Sequence, residues 1–210
     1  MKENNQVPEN YNKLKSLIDS EARTEDACRE FLKHVPTLLF KETLIKLGSS
    51  DCDYRSHSGD SDYVISGITR DTCGIERIRV YVWELKAPQC YIFEEDTKNR
   101  VKPSNELIDA ENKLLHYYDE LKGSQQFLEK FGIAHSDNVC IGGIIIGCNL
   151  KLVSGNYSEE EKRMLFARAK RIRDTCLYGS FGIKLMTWDT VLDQFRSIEK
   201  VASFSKGKLS

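Results

Sequence analysis

The sequence predicts an α/β fold in which helices flank one mixed central β-sheet. At 210 residues the chain is long enough to bury one sizeable core. Runs of β-branched and aromatic residues alternate with amphipathic helical patterns, which is the order expected when helices cover a sheet. An uninterrupted apolar run over 139–148 is typical of a strand that is buried on both faces.

The first quarter of the chain predicts two helices followed by irregular chain. Apolar residues recur at helical spacing over 11–20, which predicts a short helix. Thr24 is a suitable N-cap for a second helix, which should end at Pro36. Residues 38–47 are β-prone or irregular, and the segment 51–61, rich in Asp, Ser and Gly, is expected to be a mobile loop.

The middle of the chain predicts two paired strands and a helix. The strands lie over 62–69 and 78–87, and the short turn between them favours an antiparallel pair. Pro88 ends the second strand, and the charged segment 90–103 is expected to be an irregular linker that could act as a flap. Large apolar residues at helical spacing predict an amphipathic helix over 105–121.

The last third of the chain predicts two strands that alternate with two helices. The apolar strand 139–148 comes first, followed by a helix that Ser158 caps and that runs to about Cys176. Acidic residues occupy the first turn of this helix and basic residues its last, as the helix dipole favours. Residues 182–188 predict a final strand, and Asp189 begins the last helix.

The composition indicates one domain in a reducing compartment. We predict a domain over 21–200, an N-terminal extension with a short helix over 1–20, and a polar tail over 201–210. The formal net charge of −1 gives no overall basic field, which leaves a local basic groove possible. Seven cysteines without a CxxC pair, a polar N-terminus and no apolar run of membrane-spanning length predict a cytoplasmic protein with free thiols. The set of Cys52, His57 and Cys73 matches no common zinc spacing.

A carboxylate and an ammonium group near the end of the strand 78–87 indicate a functional site. Glu84 and Lys86 are two residues apart and therefore project from the same face of the strand. Burying both ions is costly unless they are paired or bind a ligand. Asp62 begins the neighbouring strand, and antiparallel pairing would bring it beside Glu84. Two acids and a lysine could hold a divalent cation such as Mg²⁺, activate a water molecule and offset charge on a phosphate.

The Glu84-x-Lys86 pattern taken alone also has a simpler interpretation. Glu-x-Lys is a common pattern, and on an edge strand it would be a solvated ion pair worth under about 1 kcal/mol. The apolar run before it, the strand that Asp62 begins and the amphipathic helix downstream favour the functional interpretation.

Four segments, which together span about residues 24–196, resemble the Shedu family of antiphage defence proteins, whose nuclease domain belongs to the PD-(D/E)XK superfamily. They are an opening helix closed by proline, a strand begun by an acid, a Glu-x-Lys strand end and a following helix, at residues 24–36, 61–65, 83–88 and 108–117. Their order and spacing are together fairly specific. The resemblance implies a restriction-endonuclease-like core.

The resemblance also implies roles for individual residues. It makes Asp62 and Glu84 ligands of Mg²⁺ or Mn²⁺, and it makes Lys86 the residue that orients the attacking water, helps to deprotonate it or steadies the phosphate. Glu25 would be an auxiliary acid that faces the same metal from the first helix. An acid in the first turn of a helix is equally explained by the helix dipole.

Three positions depart from the family's pattern. Ser61 stands where a proline is typical, which should alter the entry to the strand without removing a ligand. Lys113 replaces a helical glutamine, and its charge could either contact DNA phosphate or signal drift in the site. Ala87 replaces a basic residue, which would weaken the grip on substrate.

Basic residues in the predicted helix 158–176 form a second candidate surface. Arg168 and Arg171 could contact DNA phosphates. They could also be cations on a solvated face near the helix C-terminus, where the dipole favours them.

We therefore expect a Mg²⁺-dependent endodeoxyribonuclease that hydrolyses phosphodiester bonds in bacterial antiphage defence. The expected partners are a DNA substrate and further copies in a homo-oligomer, with another defence-system protein as an additional candidate and no membrane. The alternative is a catalytically inactive module of the same fold that binds DNA or a protein. An RNA substrate cannot be separated from DNA by sequence.

Overall fold

The computed structural model describes residues 6–55, 60–97 and 100–206. A mixed β-sheet lies at its centre. The strands are β1 (Thr43–Arg55), β2 (Asp60–Arg70), β3 (Glu76–Leu85), β4 (Phe93–Thr97), β5 (Arg100–Pro103), β6 (Val139–Ile145) and β7 (Lys184–Met186).

Five of these strands form the central sheet in the order β1-β2-β3-β6-β7, and β4 and β5 form a separate antiparallel pair. The first three strands of the central sheet pair antiparallel, whereas β6 and β7 run parallel to β3. A parallel neighbour requires a crossover connection, and the helical segment between β5 and β6 supplies it. The mixed sheet with flanking helices is the architecture that the sequence predicts.

Helices cover both faces of the sheet. They are α1 (Gln6–Ile18), α2 (Glu25–Arg29), α3 (Asn105–Gly123), α4 (Gln125–Lys130), α5 (Glu159–Arg173), α6 (Gly179–Phe181) and α7 (Trp188–Lys206). Ser104 caps α3 by accepting a hydrogen bond from the backbone N–H of Leu107. Ser158 and Glu161 form a reciprocal capping box at the start of α5, which confirms the predicted cap.

The two faces of the sheet carry separate apolar cores. Side chains alternate along β3, so Val80 and Val82 belong to the core under α3, whereas Tyr81 and Trp83 belong to the core under α1 and α7. Glu84 follows Val82 in this alternation and therefore shares the α3 face. The β3 alternation predicted from sequence is confirmed.

The prediction of a mobile loop over 51–61 is wrong for the residues of this segment that the structure describes. Strand β1 continues through 48–55, and β2 already begins at residue 60. Register shifts interrupt the β1–β2 pairing on either side of Leu47. There the Ser66 side chain bonds to both backbone groups of Ser49. Ser49 thus lies in a bulge within β1, just before the segment whose composition predicted a loop. His57 lies outside the described residues.

Three further expectations need correction. The segment 90–103 contains the β4–β5 pair rather than an irregular linker. The helix expected to run to Pro36 stops at Arg29 and continues as two short 3₁₀ turns. Thr24 is the N-cap residue of α2, as predicted, but its hydroxyl donates to the carbonyl of Leu17 and makes no capping hydrogen bond.

The last helix is longer than predicted, and the cysteines are unpaired. Helix α7 extends to Lys206, into the segment expected to be a polar tail. All seven cysteines are free, as expected. Within the described part of the chain, none of the helices is both long and apolar enough to cross a membrane.

Candidate active site

Asp62 and Glu84 lie opposite each other on neighbouring strands. The register of β2 and β3 pairs Tyr63 with Trp83, and one residue further it sets Asp62 against Glu84. Side chains at opposed antiparallel positions have Cβ atoms roughly 5 Å apart. The two carboxyl groups interact electrostatically, and both pKa values reflect it. The structure therefore brings together the two acids that the sequence singles out.

Asp62 connects the start of β2 to the end of β3. Its Oδ2 accepts a hydrogen bond from the backbone N–H of Leu85 at 2.8 Å. Burial raises the pKa of Asp62, and this hydrogen bond opposes the rise. The carboxylate is consequently held at the point where β3 ends and the chain turns towards Lys86.

Glu84 is a buried acid whose carboxylate oxygens lack hydrogen-bond partners in the part of the chain that the structure describes. Its side chain is 1% exposed. Burial, followed by the nearby Asp62, raises the pKa of Glu84 to about 9. Lys86 Nζ, 3.3 Å from Oε1, opposes the shift without cancelling it. Burying an acid without hydrogen-bond partners destabilises the fold. Acids held in this way are typical of functional sites.

Lys86 follows β3 and points to the same face as Glu84. Its Nζ lies 2.7 Å from Asp109 Oδ2 on α3, which is closer than its 3.3 Å separation from Glu84. Burial lowers the pKa of Lys86, but the two carboxylates raise it further, so the net pKa is above the usual range. The side chain is therefore a fixed ammonium group at neutral pH.

Lys113 also faces the site, one helical turn after Asp109. Its Nζ lies 3.6 Å from Asp109 and 4.0 Å from Glu84. The lysine that replaces the family's glutamine is thus a second cation beside the buried acid. Its side chain is 43% exposed, so it remains accessible to a ligand.

Glu25 approaches the site from the first turn of α2. Burial and the charge of Asp62 raise its pKa, while Lys86 and a hydrogen bond from the backbone N–H of Ala87 lower it. Among the residues that the structure describes, no three His, Cys, Asp or Glu side chains form a group that could hold a metal ion. Glu25 is therefore an electrostatic neighbour of the two acids, without completing a three-ligand cluster.

Backbone hydrogen bonds fix the strand end that carries Lys86. The Lys86 N–H donates to the carbonyl of Ile145 on β6 at 2.8 Å. The buried indole of Trp188, in the first turn of α7, donates to the Lys86 carbonyl at 2.7 Å. Both backbone groups of Lys86 are thus satisfied from different elements, which limits the directions that its side chain can take.

Two of the departures from the family's pattern have local explanations. The Ser61 hydroxyl donates to the carbonyl of Tyr54 on β1, so serine adds a cross-strand hydrogen bond that proline could not make. Ala87 is 1% exposed and belongs to the core under α3. A long basic side chain would have no room there, so its absence follows from packing.

The basic residues of α5 lie on a different surface. Arg168 lines a cavity of about 190 Å³ between α5 and β5, together with Arg100 and Val101. Arg171 is exposed. In the part of the chain that the structure describes, neither Arg168 nor Arg171 makes a hydrogen bond or ion pair with Asp62, Glu84 or Lys86.

Asp109 and Trp188 are site residues that sequence reasoning did not identify. Asp109 was within reach of such reasoning, because it lies four residues before Lys113 on a predicted helix and such pairs face each other. Trp188 carried no comparable signal, since its partner Lys86 is 102 residues away.

These features define an α/β protein whose mixed sheet presents two acids and a lysine at the end of a central strand. The model of the family described as Shedu protein SduA, C-terminal, matches residues 22–192. The chain belongs to the Shedu family. A search of curated proteins gave no match. The matched range includes every residue of the candidate site, from Glu25 to Trp188.

Proposed function

We propose that the protein is a metal-dependent DNA endonuclease with a PD-(D/E)XK core, and that it acts in antiphage defence. Membership of the Shedu family supports the role in defence. The observation that carries the nuclease proposal is the convergence of Asp62, Glu84 and Lys86 on one face at the end of β3.

The residues at this position fit a divalent cation. Glu84 has two buried oxygens without hydrogen-bond partners among the described residues, and a bound cation would satisfy them and favour their ionised form. We assign Asp62 and Glu84 as ligands of Mg²⁺ or Mn²⁺, with Glu25 as a candidate third acid. Magnesium is commonly held by one or two carboxylates plus water and substrate phosphate, so two protein ligands suffice. When bound, such an ion activates water and neutralises charge on the phosphate.

Lys86 acts as a cation rather than as a base. Because its pKa is raised by Asp109 and Glu84, its ammonium group has no capacity to accept a proton from water. It instead donates hydrogen bonds, either to the substrate phosphate or to the attacking water. Asp109 holds the ammonium group until a phosphate oxygen arrives to share it.

The remaining cations are candidates for contacts with DNA. Lys113 lies beside the acids and is accessible, so it would contact a phosphate close to the cleaved bond. Arg168 and Arg171 are on α5, and a contact there would lie further along the nucleic acid.

Cleavage assays with a matched variant test the proposal. Purified protein is incubated with supercoiled plasmid, linear duplex DNA, single strands and RNA, with and without Mg²⁺. Lys86→Ala should abolish cleavage, because the cation proposed to stabilise the phosphate is removed. Lys102→Ala, which removes an exposed lysine paired with Glu94, should cut at the wild-type rate. Metal-dependent cutting that survives Lys86→Ala would count against the assignment.

A second candidate is a catalytically inactive module that binds DNA or a protein. It is favoured by the two lysines beside the acids, since Lys86 and Lys113 both lie within 4.0 Å of Glu84 and would repel a divalent cation. Calorimetric titration with Mg²⁺ separates the two functions. A nuclease should bind the ion and lose binding in Asp62→Asn, whereas an inactive module should show no binding that depends on this acid.

We further propose that the protein is cytoplasmic and self-associates or binds another defence-system protein. Free thiols at all seven cysteines suit a reducing compartment. Helix α5 has no buried residue. It and the following turns expose large apolar side chains, which are typical of a protein contact: Met164, Ile172, Leu177 and Phe181.

A further inference from the structure

A second charged cluster lies on the sheet face opposite to Glu84. Arg79 lies two residues before Tyr81 on β3, so both side chains project from the same face of the sheet. The Tyr81 side chain belongs to the core under α1 and α7. The Tyr81 hydroxyl donates to the carboxylate of Glu42, and Arg79 Nε lies 3.7 Å from the same carboxylate. This places an arginine, a tyrosine and one acid near the beginning of β3, away from the strand end that carries Lys86.

Two lysines complete this cluster. Lys184, at the start of β7, donates to the carbonyl of Phe40 at 3.1 Å. Lys41 follows Phe40 in the chain, and its Nζ lies 5.9 Å from the centre of the Tyr81 ring. Glu42, which lies beside Arg79, also raises the pKa of both lysines, so the three cations are grouped around one acid. We call Lys41, Arg79 and Lys184 the cationic cluster.

The cationic cluster has more positive charge than its surroundings neutralise. Glu42 is already engaged by Arg79 and Tyr81. In the described ranges of the chain, neither Lys41 nor Lys184 has a carboxylate within ion-pair distance. Burial lowers the pKa of Lys41, and the charge of Lys184 lowers it further, while Cys140 and Glu42 oppose the shift. Three cations and one acid leave two uncompensated positive charges.

The cationic cluster is recessed and still reachable. The side chains of Arg79 and Glu42 are only 17% and 22% exposed. Lys184 is half-buried, whereas Lys41 is exposed and marks the entrance. A phosphate that reaches Arg79 and Lys184 must therefore pass Lys41, which a terminal phosphate on a small molecule can do more readily than the phosphates along a duplex backbone.

We propose that the cationic cluster binds the phosphate group of a small anionic ligand, at a site separate from Asp62 and Glu84. A phosphate dianion would neutralise the two uncompensated charges, and arginine and lysine are the side chains that bind phosphate best. The site does not depend on the nuclease proposal, because it lies on the other face of the sheet and shares no residue with the candidate active site.

Isothermal titration at constant ionic strength tests this site. Inorganic phosphate, a nucleoside triphosphate and a blunt DNA duplex without terminal phosphates are each titrated into wild-type protein, with sodium chloride as the balancing salt. Lys184→Gln and Lys41→Gln remove one cation each, and Lys41→Gln is expected to fold because its side chain is exposed. The matched control is Lys33→Gln, which removes an exposed lysine paired with Glu30.

Saturable binding of phosphate or the triphosphate that weakens about tenfold in both cluster variants, with Lys33→Gln unchanged, would support the site. A stronger response to the triphosphate than to phosphate would identify a nucleotide as the carrier. The absence of saturable binding, equal binding in the cluster variants, or binding of the duplex alone would overturn the proposal.

Discussion

Replacing Glu84 by glutamine should make the metal-free protein more stable near neutral pH. The substitution keeps the shape of the side chain and removes a group whose ionisation the fold opposes. Glu84 is fully buried, has no hydrogen-bond partner among the described residues and faces Asp62 across the β2–β3 pair. The variant therefore separates the cost of the acid from the packing around it.

The size of the effect follows from proton linkage. The pKa of Glu84 rises from an ordinary 4.5 to about 9 in the folded protein. Between these values the folded state keeps a proton that the unfolded chain releases, so stability falls as pH rises, by at most about 1.4 kcal/mol per pH unit. From pH 5 to pH 7 the free energy of unfolding of the wild-type protein should therefore fall by about 1 to 3 kcal/mol. The fall is smaller than the maximum slope allows where neighbouring charges and entering water stabilise the ionised acid. Glu84→Gln should lack this loss.

Urea unfolding in EDTA at pH 5, 6 and 7 measures the difference. Trp83 and Trp188 are both fully buried, so their fluorescence reports unfolding. The stability of Glu84→Gln relative to wild type should rise steadily with pH. Glu160→Gln, an exposed acid on α5, serves as the control and should follow wild type. Parallel pH dependences for Glu84→Gln and wild type would refute the argument that Glu84 is held against its charged form.

Three further results are expected. Asp109→Asn should lower plasmid cleavage about tenfold, because Lys86 loses its 2.7 Å partner, and should change stability by under about 1 kcal/mol, since Asp109 is half-exposed; cleavage at the wild-type rate would show that Lys86 needs no second anchor. Trp188→Phe should cost about 1–3 kcal/mol in urea unfolding, because the buried Lys86 carbonyl loses its indole donor; a midpoint equal to that of wild type would contradict this. Excess EDTA should stop cleavage, and added Mg²⁺ or Mn²⁺ should restore it; continued cutting in EDTA would exclude the proposed metal dependence.

The parts of the fold that local pattern determines were predictable from sequence. The antiparallel pairing of β2 and β3 follows from a short turn between two apolar runs, and it brings Asp62 beside Glu84. The amphipathic spacing of α3 and the capping serines of α3 and α5 are likewise local signals. The convergence of the two acids could be anticipated because one strand pair and its alternation are enough to establish it.

Contacts between distant segments were not predictable in the same way. The extension of β1 through Ser49 depends on the Ser66 side chain of the neighbouring strand, which overrides a composition typical of loops. The pairing of Phe93 with Pro103 is a hairpin whose residues are too charged to look like strands. The hydrogen bond from Trp188 to Lys86 joins two ends of the fold, and no spacing rule relates them.

The indole of Trp188 has a consequence for the order in which the protein matures. Lys86 is translated 102 residues before the side chain that anchors its carbonyl, and domains tend to fold from the N-terminus as they are synthesised. A nascent chain can pair β1, β2 and β3 early, yet the Lys86 carbonyl has no indole donor until α7 emerges. The strand end that carries Lys86 therefore becomes fully anchored only after most of the chain has been synthesised.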